Sequence, residues 1–375
     1  MFGSILILIC SLMHIYIFWR ISSAPFVKRH ISIKHLIIIG LILLAILFSG
    51  LFFGHDRTGI FASALEIFAM TWMAVLFLVF ISLFAADILT GFGFLIPRYA
   101  ASVRGWALIA GALLSMTALI QGHRAPVVDT YDVHINGLPK ELDGTVIVAL
   151  ADLHAGSQIG NKWLASRVAQ VNELKPDLIV LLGDIVEGHS SENQDAFAAT
   201  LAHLSAPLGV WAVLGNHENF GSMDAGSVSS IFDKAGIPVL RGNWKELKPG
   251  LILAGVDPPL GRMGRRDAIP GSITTALTGR PEGSVILLSH FPAAAEEAAK
   301  AGVDLMLSGH THGGQIWPFS YLVRLSYPLL AGKYEVDGMP VIVSRGAGTW
   351  GPRMRLWKPG EILKLRLHSK GIQDK

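Results

Sequence analysis

The chain has 375 residues, of which 51% are hydrophobic and 16% charged, and its formal net charge is +3. So small a surplus gives no argument for a nucleic-acid partner, and so apolar a composition departs from that of an ordinary soluble domain. The single cysteine, Cys10, excludes an intrachain disulfide and a thiolate metal site, and leaves the redox compartment open.

The apolar excess sits in residues 1–121, whereas 122–375 has the composition of a globular domain. Phe2–Trp19, Leu36–Gly54 and Ile67–Ala86 each approach the roughly 20 apolar residues needed to cross about 30 Å of hydrocarbon. A fourth segment, about Ala100–Ile120, carries Arg104 near its start, where a long side chain can snorkel to the headgroups. The first segment has no Lys or Arg before its apolar run, and Arg20 follows where a cleavage site would need small residues. It therefore reads as an anchor rather than a cleaved signal. Asp87 stands at the end of the third segment and the span interiors are nearly free of charge, which favours an anchor over a transport path.

Loop charge predicts the orientation. Arg20, Lys28, Arg29 and Lys34 follow the first span, and Arg98 and Arg104 follow the third. Only Arg57, offset by Asp56, follows the second, and Arg124 follows the fourth. Lys and Arg favour the cytoplasmic side, so four spans place the amino terminus and the globular half outside. Three spans would place that half in the cytoplasm.

After Arg124-Ala125-Pro126, strands are expected at 127–135, 145–151, 178–182, 210–214, 251–256, 285–288 and 305–307, with helices at 161–174, 196–204 and 293–301. Later strands at 334–336, 339–344 and 361–367 look antiparallel and hairpin-like. Strands alternating with helices imply sheet layers with helices packed outside. No internal repeat or low-complexity tract is evident.

Metal-ligand residue types recur at the ends of these strands: Asp152-Leu153-His154, Gly183-Asp184, Gly215-Asn216-His217-Glu218, Ser289-His290 and Gly309-His310-Thr311-His312-Gly313-Gly314-Gln315. In layered α/β folds the carboxyl rim of the strands is where ligands bind. Turn residues alone would not account for histidines at the same kind of position. Mixed carboxylate and imidazole donors suit Mn, Fe or Zn. Two such ions clamp the attacking and leaving oxygens of a phosphoryl displacement and lower the pKa of a bridging water. That chemistry needs an aspartate able to bridge and a protonated histidine near the leaving group.

These motifs resemble the calcineurin-like metallophosphoesterases, in particular a membrane-attached bacterial group. The resemblance runs over about residues 126–370, includes Leu174-Lys175-Pro176-Asp177 and Ser344-Arg345-Gly346-Ala347-Gly348, and omits the first three spans. It implies a four-layer α/β fold, a β-sandwich flanked by helices, behind an N-terminal bundle of transmembrane helices. It implies two divalent ions, one held by Asp152, His154, Asp184 and His312, the other by Asp184, Asn216, His290 and His310, with Asp184 bridging. His217 is then the histidine that protonates the leaving oxygen. The activity implied is hydrolysis of a phosphodiester or pyrophosphate, of a lipid or nucleotide-lipid among other substrates. Some relatives cleave the pyrophosphate of UDP-2,3-diacylglucosamine, which requires a cytoplasmic site and conflicts with the orientation above. A transport or sensory protein that binds a phosphorylated ligand without turnover is the alternative.

Other residues carry open readings. Glu218 either orients His217 or is a surface turn acid. Gly313 and Gly314 let the backbone pass close to the metals. Gln315 touches substrate or packs, and Arg345 binds phosphate or forms a structural salt bridge. Arg262, Arg265 and Arg266, within Pro258–Gly271, form a lid or a solvated loop. Trp317–Leu322 is either a floor for an acyl chain or a hydrophobic strand or loop packed into the domain. His123, His134, His189 and His203 fit no ligand position.

Overall fold

The computed structural model describes residues 2–53, 59–156, 158–187, 194–220, 231–258 and 272–370. The chain divides into two compact units, Met1–His123 with Gly351–Trp357, and Arg124–Trp350 with Lys358–Lys375.

The first unit contains α1 (Phe2–Ile21), the short α2 (Pro25–His30), α3 (Ile33–Phe53), α4 (Ile60–Leu89) and α5 (Pro97–Gly122). Four of these, α1, α3, α4 and α5, are long and apolar enough to cross a membrane. Leu8, Leu12, Ile15 and Trp19 fall on one face of α1 and are 58–63% exposed, whereas Cys10, Ile17, Leu47 and Leu83 are buried among the helices. An apolar row turned away from its own core needs an apolar solvent or a partner.

Charge is not absent from this bundle. Asp87 is fully buried, and its carboxylate lies 2.6 Å from Arg20 Nε and 2.7 Å from Arg104 Nε. The Tyr16 hydroxyl donates to Asp87 at 2.5 Å, and Arg104 also donates to the Phe92 carbonyl at 3.0 Å. Arg104 therefore does not snorkel as its sequence position suggests. It turns into the bundle because Asp87 offers a charged partner there, tying α1, α4 and α5 together. Removing one member of a buried ion cluster leaves uncompensated charge, at a cost of about 3–5 kcal/mol. Asp87→Asn is expected to lower the thermal unfolding midpoint of detergent-solubilised protein well below that of Glu335→Gln, a change at an exposed position; equal midpoints would refute the structural role.

The segment Gly351–Trp357 belongs to this unit through bonds from its backbone N–H groups to α5. Arg355 N–H donates to the Ala118 carbonyl at 2.9 Å and Trp357 N–H to Gln121 Oε1 at 2.8 Å.

The second unit is built on β1 (Val127–Asn136), β2 (Val146–Leu150), α6 (Asn161–Glu173), β3 (Leu178–Leu181), α7 (Gln194–Leu201), β4 (Val210–Ala212) and α8 (Asn216–Phe220). It continues with β5 (Asn243–Lys248), β6 (Leu251–Val256), α9 (Ser272–Ala276), β7 (Ser284–Ser289), α10 (Ala295–Lys300) and β8 (Leu305–Ser308). Last come α11 (Phe319–Ser326), β9 (Gly332–Val336), β10 (Met339–Val343) and β11 (Glu361–Lys370).

One sheet has the order β1-β11-β2-β3-β4 and the other β5-β6-β7-β8-β10-β9. Successive side chains of a strand point to opposite faces, and both faces of the inner strands β2, β3, β6, β7 and β8 are apolar. Ile147, Ala149, Leu178 and Val180 meet Leu251, Leu253, Ile286 and Leu288 in a core between the sheets. Val148, Leu150, Ile179 and Leu181 pack outward on α6 and α7 through Leu164, Val168, Phe197 and Leu201. Ile252, Ala254, Val285 and Leu287 pack on α9 and α10 through Ile273, Ala276, Ala295 and Ala298. The result is a helix–sheet–sheet–helix stack, the four-layer α/β architecture expected. Strands covered on both faces read as continuous apolar runs, which is why they were visible in the sequence.

Several elements depart from expectation, the short helices α8 and α9 among them, which have no counterpart in the sequence reading. β5 pairs antiparallel with β6 at a sheet edge; its Asn243–Lys248 sequence is too polar to signal a strand. β11 is no hairpin partner: it runs parallel to β1 and antiparallel to β2, whereas β9 and β10 do form an antiparallel pair. The stretch after Pro318 is neither strand nor packed loop but the helix α11, with no buried residue. His189, Arg262, Arg265 and Arg266 lie outside the described residues.

Candidate metal centre

Each motif lies just beyond a strand: Asp152 after β2, Asp184 after β3, Asn216 after β4, His290 after β7 and His310 after β8. The β2 and β3 tails are laced together, with Asp152 N–H donating to the Gly183 carbonyl and His154 N–H to the Asp184 carbonyl, both at 3.0 Å. The chain turns sharply to do this. Asp152, His154, Asp184, His310 and His312 have φ of 53°, 48°, 51°, 72° and 50°. For residues with a side chain, this left-handed region costs of order 1–3 kcal/mol each and persists only where surrounding contacts impose it.

Two glycines make room. A Cβ on Gly215 would collide with Asp184 Oδ1, and one on Gly309 would stand 2.7 Å from Asp152 Oδ2. Any side chain at either place would displace a carboxylate.

The donors gather in three overlapping groups: Asp152, His154 and His312; His154, Asp184 and His217; and Asp184, His290 and His310. Within each group the donor atoms lie within 4.8 Å of one another. Asp184 Oδ2 is 3.2 Å from His290 Nε2 and 3.9 Å from His154 Nε2. His312 Nε2 is 3.0 Å from His154 Nε2 and 3.7 Å from Asp152 Oδ1. Asn216 Oδ1 is 3.2 Å from His290 Nε2. All seven expected ligands are thus brought to one place, and His217 stands beside them.

Outer contacts fix which nitrogen faces inward. His290 Nδ1 bonds the Leu182 carbonyl at 2.8 Å, and His154 Nδ1 bonds Glu187 Oε1 at 2.6 Å, so each turns Nε2 to the centre. His310 Nε2 meets the Tyr327 hydroxyl at 2.9 Å, which leaves Nδ1 as its nitrogen free of that bond.

The donor set fits metal. Two imidazole nitrogens at 3.0 Å with carboxylate oxygens behind them need a proton or a cation between them. Burial opposes ionisation of Asp184, but His290, His217 and His154 outweigh it and hold the carboxyl well below its usual range. Burial and the Asp184 charge push Asp152 up to about 6. Burial works against a charged His290, yet Asp184 raises it to about 9, while burial and the His290 charge lower His310 to about 3. Buried carboxylates and imidazoles that oppose and support one another's charge this strongly are a donor set that divalent cations would suit.

Glu187 was not singled out from the sequence. Its Oε1 meets His154 and its Oε2 meets His217 Nδ1 at 2.8 Å, so one carboxylate joins an expected ligand to the expected acid. Its position three residues after Asp184 was the available signal. Its importance depends on the parallel bridge between Ala155 and Val186, which only the fold supplies. Burial disfavours a charged His217, but the Glu187 bond and the Asp184 charge overcome it and raise the ring to about 9.

Glu218 does neither thing expected of it. It is buried and accepts from the N–H groups of Asp184 (2.8 Å), Ile185 (2.6 Å), Val186 (3.2 Å) and Gly215 (2.7 Å). It is the peg on which the β3 and β4 loops hang. Leaving a buried donor unsatisfied costs about 1–3 kcal/mol, so Glu218→Ala is expected to destabilise the unit by more than any single surface change. A calorimetric midpoint unchanged from wild type would contradict this.

Gln315 clamps the Trp350 backbone, donating to its carbonyl at 3.0 Å and accepting from its N–H at 2.9 Å. Arg345 pairs with Asp129 at 2.7 Å and Glu361 at 2.6 Å, the structural of its two readings. His123, His134 and His203 are exposed.

Residues 145–314 match the family model described as calcineurin-like phosphoesterase. An uncharacterised metallophosphoesterase of Aquifex aeolicus is 37% identical over 247 residues, covering 65% of this chain and 92% of that one. A transmembrane protein with metallophosphoesterase domain from Danio rerio is 33% identical over 271 residues, covering 70% of this chain but 62% of the relative, so this chain spans about three fifths of its length. Among solved structures, a dimetal phosphatase from Danio rerio is 16% identical, covers 60% of this chain and 93% of that one, and has a TM-score of 0.38. The identity to the Aquifex protein over nearly its whole length, with the family match over residues 145–314, makes this chain a member of the calcineurin-like metallophosphoesterases.

Proposed function

We propose that the chain is a membrane-anchored phosphoesterase using two divalent ions (Mn, Fe or Zn) to hydrolyse a phosphodiester or pyrophosphate, that of a lipid or nucleotide-lipid foremost. The observation that carries this is the overlap of the donor groups on Asp184. Asp152, His154, Asp184 and His312 would hold one ion, and Asp184, Asn216, His290 and His310 the other. When bound, such ions neutralise phosphoryl charge and make a water nucleophile available at neutral pH. The protein does the rest. Glu187 keeps His217 protonated with Nδ1 occupied, so Nε2–H is the proton offered to the leaving oxygen. Asp184 Oδ1 accepts from the His217 N–H at 2.9 Å and so fixes the acid relative to the bridging carboxylate.

In this reading α1, α3, α4 and α5 are four spans of a bacterial inner-membrane protein, and the loop charges support a catalytic unit outside the cytoplasm. The test is hydrolysis of a chromogenic phosphodiester and the matching monoester by detergent-purified protein, with and without added Mn²⁺ after chelation. Metal-dependent diester cleavage is expected. Dominant monoester cleavage would redirect the substrate class, and no turnover of either despite bound metal would favour ligand binding without catalysis.

A further inference from the structure

α11 breaks the rule that the other helices of its unit obey. α6 buries Leu164, Val168 and Val171, and α10 buries Ala295 and Ala298, but α11 buries nothing. Tyr321, Leu322 and Leu325 are 63%, 56% and 71% exposed, and Phe319 just before them is 41% exposed. Steps of three and four residues put Phe319, Leu322 and Leu325, with Tyr321, on one helix face. The other side is fixed to the metal motif. Ser320 packs against Gly314 so closely that no Cβ would fit there, and Tyr327, just past the helix, bonds His310 at 2.9 Å.

The helix carries charge of one sign. Phe319–Ser326 and the residues leading into it from His312 contain no Asp or Glu, and their one cation besides His312 is Arg324. Trp317, 39% exposed, stands at the helix entry and Arg324 in its last turn. Aromatic rings and leucines on one side, a basic residue beside them and no acid in the helix is the composition of a helix lying in a bilayer interface. A protein partner fits less well. Five partly exposed side chains fall short of the roughly 800 Å² that each side of a stable complex buries. A tethered lipid surface needs no such area, because four apolar helices in the same chain would keep it at high effective concentration.

We infer that α11 is an interfacial helix that lays Phe319, Tyr321, Leu322 and Leu325 into an anionic lipid surface and holds the adjoining metal centre at headgroup depth. This rests on α1, α3, α4 and α5 crossing a bilayer, as proposed above. Such helices settle about 5–10 Å into the boundary between headgroups and acyl chains. With Gly314 and Tyr327 holding the helix to His312 and His310, that depth sets which phosphates reach the site. The substrate class is therefore a phosphate ester in a lipid headgroup, presented from the same surface.

The test uses the full chain with Cys10→Ala and a single environment-sensitive label at Leu325→Cys, or at Glu246→Cys on β5 as a reference. The protein is placed in nanodiscs of phosphatidylcholine and phosphatidylglycerol, with and without brominated acyl chains. The expected result is blue-shifted emission at 325, quenched severalfold more by the brominated lipid than at 246. Leu322→Glu should lower turnover of a fluorescent long-chain lipid phosphodiester severalfold while leaving a soluble chromogenic diester unchanged. Aqueous emission at 325 without lipid quenching would overturn the proposal. Shielding that appears only when discs hold two copies would overturn it in favour of a contact between chains. Retention in membranes after carbonate extraction and turnover of the soluble diester report on the spans and the catalytic centre separately, so failure of α11 to insert stands apart from failure of either.

Discussion

Asp184→Ala is expected to abolish hydrolysis and to strip metal from both positions. The carboxylate is almost fully buried and is the group shared by the donor sets around His154 and His290. Its Oδ2 points at His290 Nε2 and His154 Nε2, while Oδ1 accepts from the His217 backbone. Alanine removes an anionic donor from both positions at once, and no neighbour can move in, since Gly215 is held against the same carboxylate. A correctly placed ion contributes several kcal/mol to a phosphoryl transition state, and at about 1.4 kcal/mol per decade that is a fall of about 10³ in kcat/KM. Metal per chain, measured by mass spectrometry after removal of loosely bound ions, should fall with the activity. Asp184→Asn separates shape from charge: it keeps an oxygen for the His217 N–H but, being neutral, cannot bind a cation strongly. It should resemble alanine in activity and exceed it in thermal stability. Retention of a tenth or more of wild-type turnover by either variant would exclude Asp184 as a bridging ligand.

Much of this site is legible in the sequence because its ligands follow apolar strands. Runs such as Val146–Leu150 and Leu178–Leu181 are buried on both faces, so hydrophobicity marks them, and the first polar residue after each marks the rim. Asp152, Asp184, Asn216, His290 and His310 were found that way. What the sequence hides is whatever depends on how two loops meet. Glu187 looks like any acid in a turn until the Ala155–Val186 bridge sets it between His154 and His217. Glu218 looks like a surface acid or a histidine partner, yet it is consumed by four backbone N–H groups, because the β3 and β4 tails converge on it. Arg104 looks free to snorkel, and only the packing of α4 on α5 reveals Asp87 as its partner. β5 failed for the opposite reason: an edge strand with one solvated face has no apolar run to announce it. Trp317–Leu322 carries two readings in the sequence because aromatic residues suit either burial or an interface, and the outward-turned apolar side of α11 excludes the packed one.

The role of His217 makes the sharpest demand on kinetics, because a general acid matters in proportion to how badly the leaving group needs a proton. His217→Ala is expected to cost about 10²–10⁴ in kcat for an alkyl phosphodiester. For a p-nitrophenyl ester, whose leaving group departs as a stable anion, the loss should be far smaller. A ligand would behave otherwise, with both substrates falling together and metal content falling with them. Glu187→Gln tests the same histidine through pH. The Glu187 bond and the Asp184 charge raise His217 to about 9 against the opposing effect of burial. The acid is present below that pKa and is lost as pH rises through it, so it governs the basic limb of the rate profile. Neutralising Glu187 removes a stabiliser of the charged ring and leaves the same desolvation, so the His217 pKa must fall and the basic limb must move to lower pH. Bound cations would lower the starting point in wild type and variant alike, so the direction of the difference survives them. The alkyl substrate should show the shift and the p-nitrophenyl substrate little of it, since only the former relies on the proton. A basic limb that stays in place in Glu187→Gln, or that moves equally for both leaving groups, would mean that Glu187 serves only to hold His154 and that the leaving oxygen takes its proton elsewhere.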